Sequence, residues 1–438
     1  MRVPARARRA ALLLATLSLV ALAVWWWGVR EAATPLLASG PVADPAAQVA
    51  HGAVLARAGN CLACHTARGG APFAGGRAVQ TPFGAVWAGN LTPEPDTGLG
   101  RWSADDFWRA LHWGKSRDGR LLVPAFPYTH FTRVSRADSD ALFAYLRSLP
   151  PVHQARPEHS LRWPLGTQPA LAVWRALYFR PGALPPEPTR SAEWNRGAYL
   201  VHGLAHCGSC HGSRDALGGQ RAGGDLAGGL LPQHTWYAPS LYDPAEAGLG
   251  GWAVTDIVAL LRDGISARGS TRGPMGDVVR LGTSHLPEAD LRAMAVYLQA
   301  PGDSTAPAPA AALAGLAPHP PVEPTVAANG ARLYERHCAD CHGTSGQGHP
   351  GAWPALAGNR AVTLPAATPN LVQTVLYGGY LPATAGNPQP HGMPPFILTL
   401  SDAEIAAVLT HLRTQWGNQG PPVTTLQVHQ VRAGAPAH

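Results

Sequence analysis

All six cysteines fall into one repeated pattern: Cys61-Leu62-Ala63-Cys64-His65, Cys207-Gly208-Ser209-Cys210-His211 and Cys338-Ala339-Asp340-Cys341-His342. Two thiols three residues apart share one face of a helical turn. The histidine behind them can reach an iron whose porphyrin the thiols hold through its two vinyl groups, which is the attachment spacing of c-type haem. Structural zinc would need four ligands per site, whereas each cysteine pair stands alone, and a thioredoxin-type dithiol would not repeat three times with the same trailing histidine. Three short disulfides are the remaining alternative. The pattern predicts three covalently bound haem c groups, with Cys61, Cys64, Cys207, Cys210, Cys338 and Cys341 as attachment points and His65, His211 and His342 on iron.

The far side of such an iron commonly takes methionine, a soft thioether that favours Fe(II). The chain has four methionines, Met1, Met275, Met294 and Met393. Met393, in His391-Gly392-Met393-Pro394-Pro395, and Met275, in Arg272-Gly273-Pro274-Met275-Gly276, stand in loop-like sequence and are the expected ligands of the third and second haems. Met294 lies on the inner stripe of a helix and reads as a core residue. The first segment has no methionine: in Val123-Pro124-Ala125-Phe126-Pro127-Tyr128-Thr129-His130-Phe131-Thr132 the available side chains are Phe126 and His130. Three readings stay open there. His130 is the ligand, another histidine such as His112 is, or the iron is five-coordinate and reactive.

These groups need elements to position them. A glycine precedes each first cysteine (Gly52, Gly197, Gly330) within what reads as a short helix. Each copy closes on an apolar stripe of helical period: Leu142, Tyr145, Leu146 and Leu149; Leu291, Met294 and Leu298; Ile405, Val408, Leu409 and Leu412. Ser401 and Glu404 form a capping box, Ser135 and Asp138 a weaker one, and Pro287 suits a first helical turn. Gly98-Leu99-Gly100-Arg101-Trp102 recurs as Gly248-Leu249-Gly250-Gly251-Trp252, so the first two copies are the closer pair. The expected organisation is a basic end (1–9), an apolar segment (10–29), domains at 45–150, 191–299 and 326–417, a linker with a docking helix at 151–190 on the stripe Leu171, Trp174, Leu177 and Tyr178, a Pro/Ala linker at 300–325, and a tail at 418–438.

Only 14% of the residues are charged, and 49 glycines and 43 prolines indicate loop-rich domains. Of the formal charge of +7, four come from Arg2, Arg6, Arg8 and Arg9, which precede the apolar run, so the basicity does not indicate nucleic acid. The uncharged run 10–29 would be about 30 Å long as a helix, with Trp25, Trp26 and Trp27 at its outer end, the pattern of a transmembrane anchor with the rest of the chain outside the cytoplasm. A signal peptide cleaved near Ala38 is the competing reading.

On these residues, together with Gly89-Asn90-Leu91-Thr92-Pro93 and Ser191–Leu200, the chain resembles the three-haem, membrane-attached cytochrome c subunits of bacterial periplasmic dehydrogenase complexes, those serving alcohol, gluconate or sorbitol dehydrogenases and molybdenum-containing aldehyde or N-heterocycle oxidoreductases. The resemblance implies an all-α protein of three tandem class I cytochrome c domains with loop-rich haem pockets behind one N-terminal transmembrane helix, at the inner membrane with its haem domains in the periplasm. It implies an electron relay from a catalytic subunit of molybdenum, quinone-cofactor or flavin type to ubiquinone or a terminal oxidase. Phe126 departs from members with methionine there. The chain shows no nucleotide-binding glycine fingerprint and no spare cysteine, which argues against catalysis on this chain. The alternative is a peroxidase-like haem enzyme using an open first haem.

Overall fold

The computed structural model describes residues 44–221, 223–231, 236–300 and 321–434, with scattered residues between 15 and 29. Two units can be separated. The first comprises Met1–Ala56 and Cys64–Pro185, the second Arg57–Ala63 and Pro186–His438.

A crossing of two helices recurs three times. In the first unit Pro45–Ala58 crosses Arg136–Arg147; in the second, Ala192–Tyr199 crosses Glu288–Gln299 and Pro324–His337 crosses Asp402–Thr414. Each crossing point is a glycine against an alanine carbonyl. A Cβ on Gly52 would stand 1.9 Å from Ala141 O, on Gly197 2.0 Å from Ala293 O, and on Gly330 2.4 Å from Ala407 O. Small residues on both helices let the backbones touch, and the apolar stripes then close around them: Leu142 and Leu146, Leu291, Met294 and Leu298, and Ile405, Val408, Leu409 and Leu412 are all buried. Gly197 lies one residue further from its first cysteine than Gly52 does, and a π turn, Leu200–Leu204, absorbs the extra residue with a hydrogen bond from Ala205 N to Leu200 O. Ser401 and Glu404 form the expected reciprocal cap, and the Ser135 side chain accepts from Asp138 N.

A second device also recurs. Ala104–Trp113, Val254–Asp263 and Thr368–Tyr377 each end at a glycine of positive φ, Gly114 (57°), Gly264 (74°) and Gly378 (60°), where a side chain would be strained. Each glycine starts a short antiparallel turn: Lys115 bridges Leu121, Ile265–Ser266 pairs with Gly269–Ser270, and Gly379–Tyr380 pairs with Gly392–Met393. Behind these turns come the 123–131 stretch, the Pro274–Leu281 helix and Met393 itself.

The expected all-α fold with a transmembrane helix is corrected on two points. Short antiparallel strands are part of the architecture, including a three-stranded sheet of Ala78–Thr81, Gly84–Trp87 and Ser160–Leu161. Among the described residues no helix is long and apolar enough to cross a membrane; much of the 10–29 run lies outside the described residues, as do 301–320 of the Pro/Ala linker. The Gln168–Tyr178 helix forms, but it buries Leu171, Ala172 and Arg175 while Leu177 is exposed. Backbone carbonyls satisfy the Arg175 guanidinium, so a charged residue takes the place the apolar stripe gives to Leu177. The C-terminal stretch is not loose: Thr425–Gly434 is a helix whose Val428 and Val431 join the core under Asp402–Thr414.

Candidate haem-binding sites

Each C-x-x-C-H segment folds as a single helical turn at the end of its approach helix: Cys61–Cys64, Gly208–His211 behind Cys207, and Ala339–His342 behind Cys338. The turn brings each cysteine pair to one side. No disulfide joins any of the six cysteines. Burial raises the Cys64 thiol, holds Cys207 up at about 12 with Asp225 adding to the effect, and holds Cys338 up at about 11. Thiols in this state are protonated at neutral pH and are poor thiolate ligands. Among the described residues no three His, Cys, Asp or Glu side chains converge on a common point.

The three histidines share one geometry. His65 Nδ1 lies 2.7 Å from Gly89 O, His211 Nδ1 2.7 Å from Pro239 O, and His342 Nδ1 3.0 Å from Pro354 O. A carbonyl can only accept, so Nδ1 carries the proton and Nε2 keeps its lone pair. Burial pushes all three imidazoles below the ordinary histidine value, and the Arg272 cation pushes His342 further in the same direction. A neutral imidazole, oriented by a backbone acceptor and free at Nε2, is what an axial iron ligand requires. The residues therefore fit a c-type haem: thiols to hold the porphyrin edge, and a fixed nitrogen to hold the iron.

A further anchor was not visible in the sequence. Each histidine's own carbonyl accepts from a glycine amide, Gly75 at 2.8 Å, Gly228 at 2.7 Å and Gly348 at 2.8 Å. All three glycines have positive φ, 79°, 84° and 65°. Their sequence separations from the histidines differ in every copy, so no fixed spacing could have marked them.

Of the expected sixth ligands, Met275 sits half-buried in the first turn of the Pro274–Leu281 helix rather than in a loop, and Met393 ends the last short strand, packed against the third core. Met294 is 1% exposed, as a core residue should be. In the first unit His130 lies in the Tyr128–Phe131 turn, 3% exposed, with its Nδ1 3.5 Å from Arg133 Nη1. Phe126 packs on Phe131 with ring centroids 5.3 Å apart. His112, 5% exposed, is stacked on Trp108, and its Nδ1 has no hydrogen-bond partner among the described residues. Two buried histidines thus flank the first copy's glycine turn, where the other copies present thioethers.

Residues 327–416 match the cytochrome c family. Over 91% of its length the chain is 37% identical to the cytochrome c subunit of the quinone-type alcohol dehydrogenase of Gluconacetobacter polyoxogenes, covering 87% of that protein. It is 36% identical over 86% of its length to the gluconate 2-dehydrogenase cytochrome c subunit of Pantoea cypripedii, covering 88% of it. With one of the subunits of the nicotinate dehydrogenase of Pseudomonas putida it shares 39% identity over 97% of its length, but it spans only 35% of that longer protein. The cytochrome c relatives are electron-transfer subunits rather than catalytic chains, and this protein belongs to their family, the cytochrome c subunits of dehydrogenase complexes, with covalent haem c as its redox group.

Proposed function

We propose that the chain carries three c-type haems, one at each C-x-x-C-H turn, and relays electrons from a catalytic dehydrogenase subunit on the periplasmic face of the inner membrane to ubiquinone or a terminal oxidase. The observation that carries the number three is the repetition of the proximal geometry: His65, His211 and His342 each place Nδ1 on a backbone carbonyl and each receive a left-handed glycine on their own carbonyl. Two isolated thiol pairs with a stray histidine would have no reason to share both contacts with the third. When bound, the haem iron supplies one-electron chemistry between Fe(II) and Fe(III). The chain's own part would be to fix the imidazole tautomer, with Met275, Met393 and His130 as the further residues that would hold the iron.

The catalytic partner is of molybdenum, quinone-cofactor or flavin type. Relatives named for nicotinate, alcohol, gluconate and fructose dehydrogenases support a small oxidisable organic molecule as the electron source, and the quinone in the alcohol dehydrogenase's name supports a quinone in the pathway. The test is the haem content of the intact purified chain by the pyridine haemochrome assay, together with the visible and electron paramagnetic resonance spectra, in aqueous buffer, of His65→Ala, His211→Ala and His342→Ala made singly. Three haems per chain are expected, with each variant altering one. A stoichiometry of one, or a histidine variant that leaves every haem signal unchanged, would refute the three-site reading.

A further inference from the structure

The end of the N-terminal apolar segment is built into the first unit. Gly28 and Val29 are helical, and a Cβ on Gly28 would stand 2.1 Å from Ala172 O, so this glycine permits a close backbone contact with the Gln168–Tyr178 helix. Two cations meet the carbonyls of these two residues: Arg175 Nε donates to Gly28 O at 2.9 Å, and Lys115 Nζ donates to Val29 O at 2.6 Å. Val29 also packs with Leu121, Val123, Leu171 and Ala172.

Arg175 carries the contact onward. It is 3% exposed, donates through Nη1 to Trp113 O at 2.6 Å, and lies over the rings of Phe179 and Tyr128 at 4.6 and 5.3 Å. Trp113 is the last residue before the Gly114 turn, and Tyr128 opens the turn that holds His130. Tyr128 is fully buried against Phe179 and Trp174. A chain of direct contacts therefore runs from Gly28 and Val29 through Arg175 to the stretch on the distal side of the first haem site.

We propose that Gly28–Val29 is a permanent brace of the first unit, retained in the mature protein, and that Arg175 is a positioning residue which transmits it to the His130 turn. Removing the brace withdraws the Gly28 carbonyl from a buried guanidinium, which then has to reorganise against Tyr128. A cleavage between residues 30 and 43 would discard the brace.

Intact mass and N-terminal sequencing of the protein purified from its native cells test retention. A mature chain containing Gly28 and Val29 is expected, and an N-terminus beyond Val29 overturns the proposal. Electron paramagnetic resonance of the oxidised protein tests transmission. Arg175→Gln should shift or remove one of the three low-spin haem signals and leave the other two in place, and Arg175→Lys should restore part of the shift. Gly28→Val, which forces the segment off Ala172 without touching Arg175, should move the same signal, and it replaces Arg175→Gln if that variant does not fold. Unchanged spectra in a folded variant overturn the positioning role.

Discussion

Substituting alanine for Gly197 tests whether the helix crossings set the frame that holds each haem-attachment turn. The new Cβ would stand 2.0 Å from Ala293 O and 2.7 Å from Tyr297 Cβ, whereas ordinary contact begins at 3.4 Å. The obstacle is backbone, so no side chain can rotate away; the helices must part by about 1 Å or more at their closest point. Overpacking of this kind costs about 1–3 kcal/mol, and the opened seam also loosens Trp194, Ala198, Leu291 and Met294, all buried at this interface. Alanine returns up to about 1 kcal/mol through its better helix propensity. The net loss is about 1–2 kcal/mol, or roughly 5–10 °C in melting temperature for a domain of about 100 residues. Thermal unfolding of the holoprotein followed at the Soret band measures it. Gly251→Ala, with no heavy atom within 4 Å of its added Cβ, is the control and should stay within about 0.5 kcal/mol of the parent. Gly52→Ala should match Gly197→Ala, and Gly330→Ala, at 2.4 Å, should be milder. A Gly197→Ala protein that melts at or above the parent temperature would show that the crossing has slack, and the reasoning would fail.

Three further outcomes are expected. Arg272 puts a positive charge on the surroundings of His342, which disfavours the ferric state there, so Arg272→Leu should lower the potential of the third haem in a spectroelectrochemical titration; a rise would contradict the field argument. His130→Met should raise the first haem's potential, because a thioether favours Fe(II) more than imidazole does, and an unchanged titration would remove His130 as the ligand. The Thr97 hydroxyl and amide, chief among several contacts, hold the Glu94 carboxyl down at about 2, below its ordinary 4.5. A depressed folded-state value contributes stability that is complete above the unfolded value and fades as pH falls through the folded one. Melting-temperature differences between the parent and Glu94→Gln should therefore shrink between about pH 4.5 and pH 2, and a difference constant across that window would refute the assignment.

What could be read from the sequence is what chemistry confines to a few consecutive residues. A porphyrin edge demands two thiols on one turn with a histidine behind them, so Cys61, Cys207 and Cys338 mark candidate sites without any fold. The paired helices were nearly as legible, because an apolar stripe has a fixed period, but that Gly52, Gly197 and Gly330 each meet an alanine carbonyl of the partner helix was not. The supports of the imidazoles were not. Gly89, Pro239 and Pro354 act through backbone oxygens, which every residue possesses, and their separations of 24, 28 and 12 residues from the histidines follow from loops of unequal length. The same inequality hid the third copy of the glycine-ended helix and turn: the strand pair Gly379–Tyr380 and Gly392–Met393 encloses a longer insertion than Ile265–Ser266 and Gly269–Ser270. The inward face of Gln168–Tyr178 was misread for another reason. Periodicity assumes that cations face water, and Arg175 is buried because main-chain carbonyls, invisible to any pattern of side chains, meet it there.

The three copies thus agree around their C-x-x-C-H turns and differ around the candidate ligands Met275, Met393 and His130. On the proximal side geometry repeats within a few tenths of an ångström, since any drift would lose the tautomer that leaves Nε2 free. On the distal side the shared glycine turn fixes only where the following chain emerges, and what emerges is a helix start with Met275, a strand end with Met393, or a one-turn segment with His130. The first copy backs its 123–131 stretch with a buried arginine and an aromatic cluster, Tyr128, Phe179 and Trp113. A methionine on a flexible stem can adapt to an iron, whereas a planar imidazole must be aimed. The buried packing concentrated around residues 113–131 is what the proposed His130 ligation would require.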